Sequence, residues 1–481
     1  MTRNANRTVL SVFEGVDTVA VALYVLLTVT GMLAVVSATW VDGCENIFSL
    51  SNTYMKQAVW IGVSWMAGIA VLLFDRNIWH KGAYYMYGIS VVLLLLTLLI
   101  GVKVNGATAW LGTKTFRVQP MEFAKIAIAL TVARMMSEYS FSISSAGSLF
   151  RLAAVLLVPL GITVLQNDMG SGIVLGAFLF VFYREGLNNW ICIPLIFIIV
   201  LFILSFLISP VALLLAMITV FTLSGGMMNG QWKRSLRFVA ALLMSSILLY
   251  FAADRFAPGR VSYYAALFVA TLVSLGVVVW YAYRNNLRNI YVLVSIFALS
   301  FIFLPTTNLV FGIMGDHQQR RILSFLGIVS DPTQDYNVNQ SKIAIGSGGL
   351  FGKGYMEGTQ IRYNFVPEKH TDFIFCTISE ETGFFGAAVV LGLLLLLILR
   401  LMYMGDRQQN VFGRVYCYSV AAVLFFHAMV NVGMTVGLLP VIGIPLPFVS
   451  YGGSSFLSFT LMLFIALALD APTRRRMVSV P

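Results

Sequence analysis

Charge is scarce in this chain. Asp, Glu, Lys and Arg make up only 11% of its 481 residues, while 59% are hydrophobic. A soluble domain of that make-up would expose large apolar patches. Cysteine and histidine are rarer still, at four residues each. Cys44, Cys192, Cys376 and Cys417 form no Cys-x-x-Cys pair and no His/Cys cluster, which supports neither a disulfide framework nor a zinc site. No small-residue cleavage site follows the first apolar run, so that run reads as a retained helix rather than a signal peptide.

What the chain has in abundance is apolar runs of about 18–25 residues, the length that crosses a bilayer. They recur from end to end and predict about fourteen spans: 17–39, 57–74, 83–102, 119–136, 149–166, 170–184, 189–208, 210–228, 235–253, 262–283, 290–313, 373–403, 412–437 and 446–469. The expected fold is all-α, a polytopic transmembrane helical bundle. Ser209-Pro210 either separates two helices or kinks one, and 170–184 is short for a full crossing.

The formal charge of +11 would suggest nucleic acid in a soluble protein. Here more than half of the basic residues fall in the loops of one face and at both termini: Arg3, Arg7, Arg76, Lys81, Arg134, Arg151, Arg184, Lys233, Arg234, Arg237, Arg284, Arg288, Arg400, Arg407, Arg414 and Arg474–Arg476. The positive-inside rule makes that face, and both termini, cytoplasmic. The first loop of the other face carries Asp42 and Glu45. The basic surplus therefore speaks for topology and membrane lipids, not nucleic acid.

Residues 314–372 break the pattern with a long, glycine-rich outer stretch holding Arg320, Arg321, Lys342, Lys353, Arg362 and Lys369. Its glycines and interspersed aliphatics favour a loop packed back onto the bundle. The run Gly346 to Gly354 fails the ATP-type phosphate-loop pattern, because Ser347 stands where glycine is needed and Gly354 follows Lys353. Its amides and Lys353 could cradle a pyrophosphate, or the run is simply a tight packing loop. Tyr451-Gly452-Gly453-Ser454-Ser455 lacks the last glycine of a nucleophile elbow.

Ionisable groups at membrane depth are costly and point to function. Glu122 and Lys125 are three apart and share a helical face, as a structural ion pair or a cavity pair. Arg117 lies near the outer end of the same helix. Asp168 sits in a tight outer turn, as an N-cap or a cavity wall. Asp372, after Glu368-Lys369-His370-Thr371, is either the N-cap of the next helix or a general base at a water–membrane boundary.

These segments resemble one known family. Gln340 to Gly349, His370-Thr371-Asp372-Phe373-Ile374-Phe375 with Glu380-Glu381, Pro445 to Ser454, and Gln119-Pro120-Met121-Glu122-Phe123-Ala124-Lys125 are similar, in order, to motifs of the SEDS family (RodA, FtsW, SpoVE). Gly358-Thr359-Gln360 resembles RodA rather than FtsW. Asn167 stands where the family usually has proline and Met121 where it usually has serine.

The resemblance implies a core of ten helices, here with about four extra helices inserted. The expected regions are 1–184 and 373–481 as the two parts of the core, 185–313 with the extra helices, and 314–372 as the extracytoplasmic loop. It also implies a peptidoglycan glycosyltransferase of the bacterial inner membrane that polymerises lipid II during elongation and cell-shape maintenance. Undecaprenyl diphosphate would leave, and a class B penicillin-binding protein would be the partner. Asp372 would be the catalytic base. Arg117, Glu122, Lys125, Asp168, Arg321, Lys342, Lys353, Lys369 and His370 would form the substrate site on the outer face. No cofactor is implied with certainty, and a divalent cation, Mg or Mn, is compatible with a pyrophosphate leaving group. A lipid II flippase using the same buried charges, or a scaffold recruiting a transpeptidase, would show the same composition.

Overall fold

The structure is a computed structural model that describes residues 15–40, 49, 52–104, 106–112, 117–228, 230, 232–256, 262–284, 294, 297–298, 301–302, 311–312, 316–329 and 332–478. Most of the span expected at 290–313 lies outside the described residues, as do Arg3, Arg7, Asp42, Cys44, Glu45 and Arg288.

Among the described residues, ten helices are long and apolar enough to cross a membrane. The protein is thus a multi-pass helical membrane protein. The chain divides into two compact units, one made of residues 1–187 and 316–481, the other of residues 188–315.

The first unit opens with α1 (Thr18–Thr39), α2 (Thr53–Leu73) and α3 (Arg76–Ile100). Asp17 caps α1 by accepting from the Ala20 amide at 3.1 Å, and Asp75 caps α3 through the Asn77 amide. A small antiparallel sheet comes next, with β1 (Val102–Val104), β2 (Ala107–Gly112) and β3 (Arg117–Val118) in that order. The pattern of apolar runs predicts no strands here. Val102 pairs with Trp110 and Gly112 with Arg117, so Arg117 belongs to a strand and not to the helix after it.

Helix α4 (Pro120–Met136) starts with proline at its first position, where the missing amide costs no bond. It is buried along nearly its whole length, which marks it as the central helix. Then come α5 (Ala146–Leu165) and a broken passage of α6 (Met169–Ile173), a 3-10 turn (Val174–Ala177) and α7 (Phe178–Arg184).

The second unit contains α8 (Asn189–Leu207), α9 (Pro210–Met228), α10 (Trp232–Phe256) and α11 (Tyr263–Arg284). Ser209-Pro210 separates two helices, and the Ser209 hydroxyl accepts from the Ala212 amide. Leu201, Leu214, Leu267 and Phe301 lie in its core, where Phe268 and Phe301 stack with centroids 4.1 Å apart.

The first unit resumes with α12 (Asp316–Phe325), α13 (Pro332–Ser347) and α14 (Thr359–Arg362). The expected loop therefore carries three helices and is about half helical. The Gln340–Ser347 part of the glycine-bearing motif ends a helix, and loop begins only at Gly348. Helices α15 (Ile374–Asp406), α16 (Val411–Thr435) and α17 (Gly453–Val478) complete the chain. In α16 and α17, 67% and 78% of the apolar window is buried, against 28% in α2 and 22% in α3. The centre of this unit is therefore α4, α16 and α17, while α2 and α3 leave most of their surface uncovered by it.

Candidate active site

Gly383 interrupts α15 with φ +67°. In an unbroken helix the carbonyls of Glu380 and Glu381 would take the amides of Phe384 and Phe385. The glycine segment fills all four places instead. Lys353 and Gly354 amides donate to the Glu380 and Glu381 carbonyls at 3.0 and 3.1 Å, and Phe384 and Phe385 amides donate to the Gly349 and Leu350 carbonyls at 2.9 and 3.2 Å. A methyl at Gly348 or Gly352 would overlap the backbone of α15. Of the two readings of this run, the geometry gives the packing loop, and the Lys353 and Gly354 amides are spent on the helix.

The Glu380 carboxylate fastens the same segment from the side. It accepts from the Lys353 ammonium at 2.7 Å and from the Gln360 and Ile361 amides at 3.0 and 3.1 Å. Lys369 donates to the Ile361 carbonyl. Lys353 and Lys369, expected among the diphosphate cations, are thus turned to holding the loop together.

Asp372 is not a helix cap. Phe373 precedes the first turn of α15 and no side chain caps it. The Asp372 carbonyl accepts from the Asn431 amide group at 2.8 Å, and Asn431 also donates to the Ile444 carbonyl at 2.7 Å. Ser450 donates to the Thr371 carbonyl at 2.7 Å and accepts from the Leu446 amide at 2.8 Å. The Tyr451 amide donates to the His370 carbonyl at 2.9 Å. Residues 370–372 are therefore stitched along 442–451, the segment leading into α17. Gly443, with φ +82°, lies under the carboxylate, and a methyl there would stand 3.4 Å from Asp372 Oδ2.

Burial raises the Asp372 carboxyl from 3.8 to about 6. The charge of Glu368 adds to the rise and Arg321 opposes it. Burial likewise holds the His370 imidazole below its ordinary value, with Glu368 pulling it up and Lys369 down. Arg321, from α12, donates to the Ile442 carbonyl at 3.2 Å and so sits on the same segment.

Asp168 caps α6 by accepting from the Ser171 amide at 3.3 Å, and takes a bond from Gln119 at 2.7 Å. Gly170 beside it packs on the Ile442 carbonyl, where a methyl would come within 2.7 Å. Arg117 precedes Gln119 in β3, and its Nε makes no hydrogen bond among the described residues. Lys342 is exposed on α13 and lies over Gly437 at the end of α16.

Deeper in, Lys125 and Glu122 pair at 2.9 Å, with 0% and 3% of their surface exposed. Lys125 also meets His427 Nε2 at 2.9 Å and lies 5.1 Å from the Phe459 ring centre. His427 Nδ1 lies 3.2 Å from the Pro445 carbonyl. The structure thus gathers Asp372, His370, Arg321 and Asp168 around segment 442–451, with Glu122 and Lys125 beneath it. His427 and Asn431 went unnoticed in the sequence. Both are polar residues in an apolar run, the signal that had singled out Glu122.

Among the described residues no cluster of three or more His, Cys, Asp or Glu side chains is placed to hold a metal ion.

Known proteins share both this sequence pattern and this fold. Peptidoglycan glycosyltransferase RodA of Treponema pallidum is 31% identical over 431 residues, 89% of this chain and 91% of that one. Peptidoglycan glycosyltransferase MrdB of Escherichia coli is 30% identical over 408 residues, 84% of this chain and 81% of that one. A solved peptidoglycan synthase complex, described as coordinating polymerization and crosslinking, contains a chain with the same fold. Its TM-score is 0.59 at 20% identity, covering 96% of this chain and 99% of that one. The family model for FtsW, RodA and SpoVE, described as a cell cycle protein, matches residues 17–242 and 211–475. The chain belongs to the FtsW/RodA/SpoVE family.

Proposed function

We propose that this chain is a peptidoglycan glycosyltransferase that polymerises lipid II during elongation, with Asp372 as general base. The observation that carries the assignment of Asp372 is its carboxylate, which caps no helix, is raised by burial to about 6, and has Arg321 as the cation opposing that rise. A base titrating near working pH is ionised when needed yet basic enough to take a proton.

In the reaction an acceptor hydroxyl attacks the anomeric carbon of a second lipid-linked sugar. The hydroxyl proton passes to Asp372, the new glycosidic bond forms, and the bond to the diphosphate breaks with undecaprenyl diphosphate leaving. Arg321, Arg117 and Lys342 are the cations assigned to the diphosphate, arginine being suited to bidentate contact. Asp168 and His370 shape the wall, and Glu122 with Lys125 fixes the floor. A divalent cation, Mg or Mn, would be held by one or two carboxylates plus the substrate phosphates, not by a protein cage. Asp372 and Glu368 are the carboxylates at hand. The active site faces outward, both termini are cytoplasmic, and a class B penicillin-binding protein cross-links the product. The synthase complex of like fold supports such a partner.

The test is product-length analysis with lipid II, with and without the penicillin-binding partner. Asp372→Asn is expected to lose about a hundredfold or more in polymerisation while expressing and assembling normally. Undiminished strand formation by that variant overturns the assignment. Lipid II movement across a vesicle membrane without strand formation favours the flippase reading.

A further inference from the structure

The Lys125–His427–Pro445 chain of contacts has a fixed direction. Lysine ammonium is a donor only, so His427 Nε2, 2.9 Å away, must accept. A neutral imidazole that accepts at Nε2 carries its proton on Nδ1. That proton then donates to the Pro445 carbonyl, 3.2 Å off. Groups facing the ring come from every neighbouring element. They are Lys125 and, behind it, Glu122 from α4, the edge-on ring of Phe459 from α17 with centroids 4.8 Å apart, and the Pro445 backbone. His427 is 1% exposed, so the ring is shielded from bulk water.

His427 and Asn431 are four apart on α16 and so project from one helix face. Each bonds a neighbouring carbonyl of the same segment, Pro445 and Ile444. Asn431 then reaches the Asp372 carbonyl, and Gly443 of that segment lies under the Asp372 carboxylate. The segment that floors the base is thus pinned from below through a charged lysine.

We infer that His427 is a positioning residue for the base: as the Nδ1–H tautomer it ties the buried Glu122–Lys125 pair to Pro445 and thereby sets segment 442–446 against Asp372. It touches no reacting atom. Its effect is to hold Gly443 and the Arg321-bonded Ile442 carbonyl where the carboxylate needs them. This rests on the polymerase reading for its consequence, but the relay itself is measurable without it.

The experiment has two arms on the full-length chain. First, nitrogen NMR of the chain labelled at histidine, with His427→Gln used to assign the signal, reads the tautomer whether or not the chain makes glycan. Nδ1–H with an accepting Nε2 is expected, and the other tautomer or an imidazolium overturns the relay. Second, lipid II polymerisation is followed against pH, where the groups facing Asp372 are Glu368 on its own loop and Arg321 from α12. His427→Leu is expected to lower kcat about 10–100-fold, the cost of roughly an ångström of misplacement. KM should change little, and the acidic limb of the profile should move to lower pH as water reaches the carboxylate. His427→Gln, whose amide both accepts and donates, restores most of kcat and the limb. Wild-type kinetics in His427→Leu, or equal losses in both variants with an unmoved limb, overturn the proposal. Should His427→Leu not fold, His427→Asn, too short to reach both partners, takes its place with the same outcomes. A wild-type chain that makes no glycan strikes the proposed function, and the tautomer then judges the relay alone.

Discussion

A carboxylate that titrates near 6 leaves two marks on behaviour. In the proposed role of base, Asp372 must be ionised, so polymerisation is expected to fall about tenfold per unit below about pH 6 and to level above it. The stability sign is the opposite. The folded state binds this proton more tightly than the unfolded chain does, so ionisation costs stability. That cost is fully present above about pH 6 and vanishes as pH falls below the ordinary value of 3.8. Asp372→Asn is therefore expected to melt no lower than wild type at pH 7.5 while losing activity. A clearly lowered melting temperature there shows that the carboxylate is structural. Glu122, Lys125 and Asp372 were legible in the sequence because charge at membrane depth is conspicuous. His427 obeyed the same rule and was missed because nothing polar adjoins it in the chain.

The break in α15 shows why elements were harder to read than residues. A helix-breaking glycine inside a stretch that reads as one helix looks like any other glycine. Only the fold reveals that residues 349–354 supply the bonds the helix gives up. Gly383→Ala must place a side chain at φ +67° and overlap the Gly352 backbone. A cost of about 1–3 kcal/mol for the backbone alone is expected, seen as a lowered melting temperature in detergent and faster proteolysis between 348 and 362. An unchanged digestion pattern contradicts the splice. The strands at 102–118 are hidden for a related reason: β1 and β3 are only three and two residues long, and six-residue β2, Ala-Thr-Ala-Trp-Leu-Gly, does not alternate cleanly. Residues 332–347 look like loop in the sequence because glycines follow them, although the run before Gly346 sustains a helix.

At the scale of the molecule, the end of the first unit opposite Asp372 is closed by charge. Arg407 donates to Asp17 at 2.9 Å and to Asp470, while Arg400 grips Asp17 with bonds of 2.8 to 3.1 Å. Gln408 completes the set on Asp470 at 3.0 Å. Both aspartates are wholly buried. Arg407→Met leaves Arg400 on Asp17 but leaves buried Asp470 with Gln408 and without its arginine, and is expected to cost about 3–5 kcal/mol. Adding Asp470→Asn should return part of it, and strictly additive losses in the double variant argue against coupling. Arg400 and Arg407 had been legible as markers of sidedness, but partners hundreds of positions away leave no trace in spacing. Sidedness has its own test. A phosphatase fused after residue 478 is expected to be inactive and one inserted near residue 356 active, and the reverse pattern inverts the orientation. Residues 188–315 form a unit of their own, and nothing in their composition states a task for them.

That closure also orders synthesis in time. The ribosome delivers Asp17 before Arg400 and Arg407, and Asp470 after both. Until residue 470 emerges, Arg407 lacks one of its two acids, and the first helix has only part of its final seam. Before then Arg407 has Asp17 alone, and the seam between α1 and α15 stands without its contribution from α17. The Arg407–Asp470 bond is thus the later half of the closure, locking α17 onto a seam that α1 and α15 have already begun.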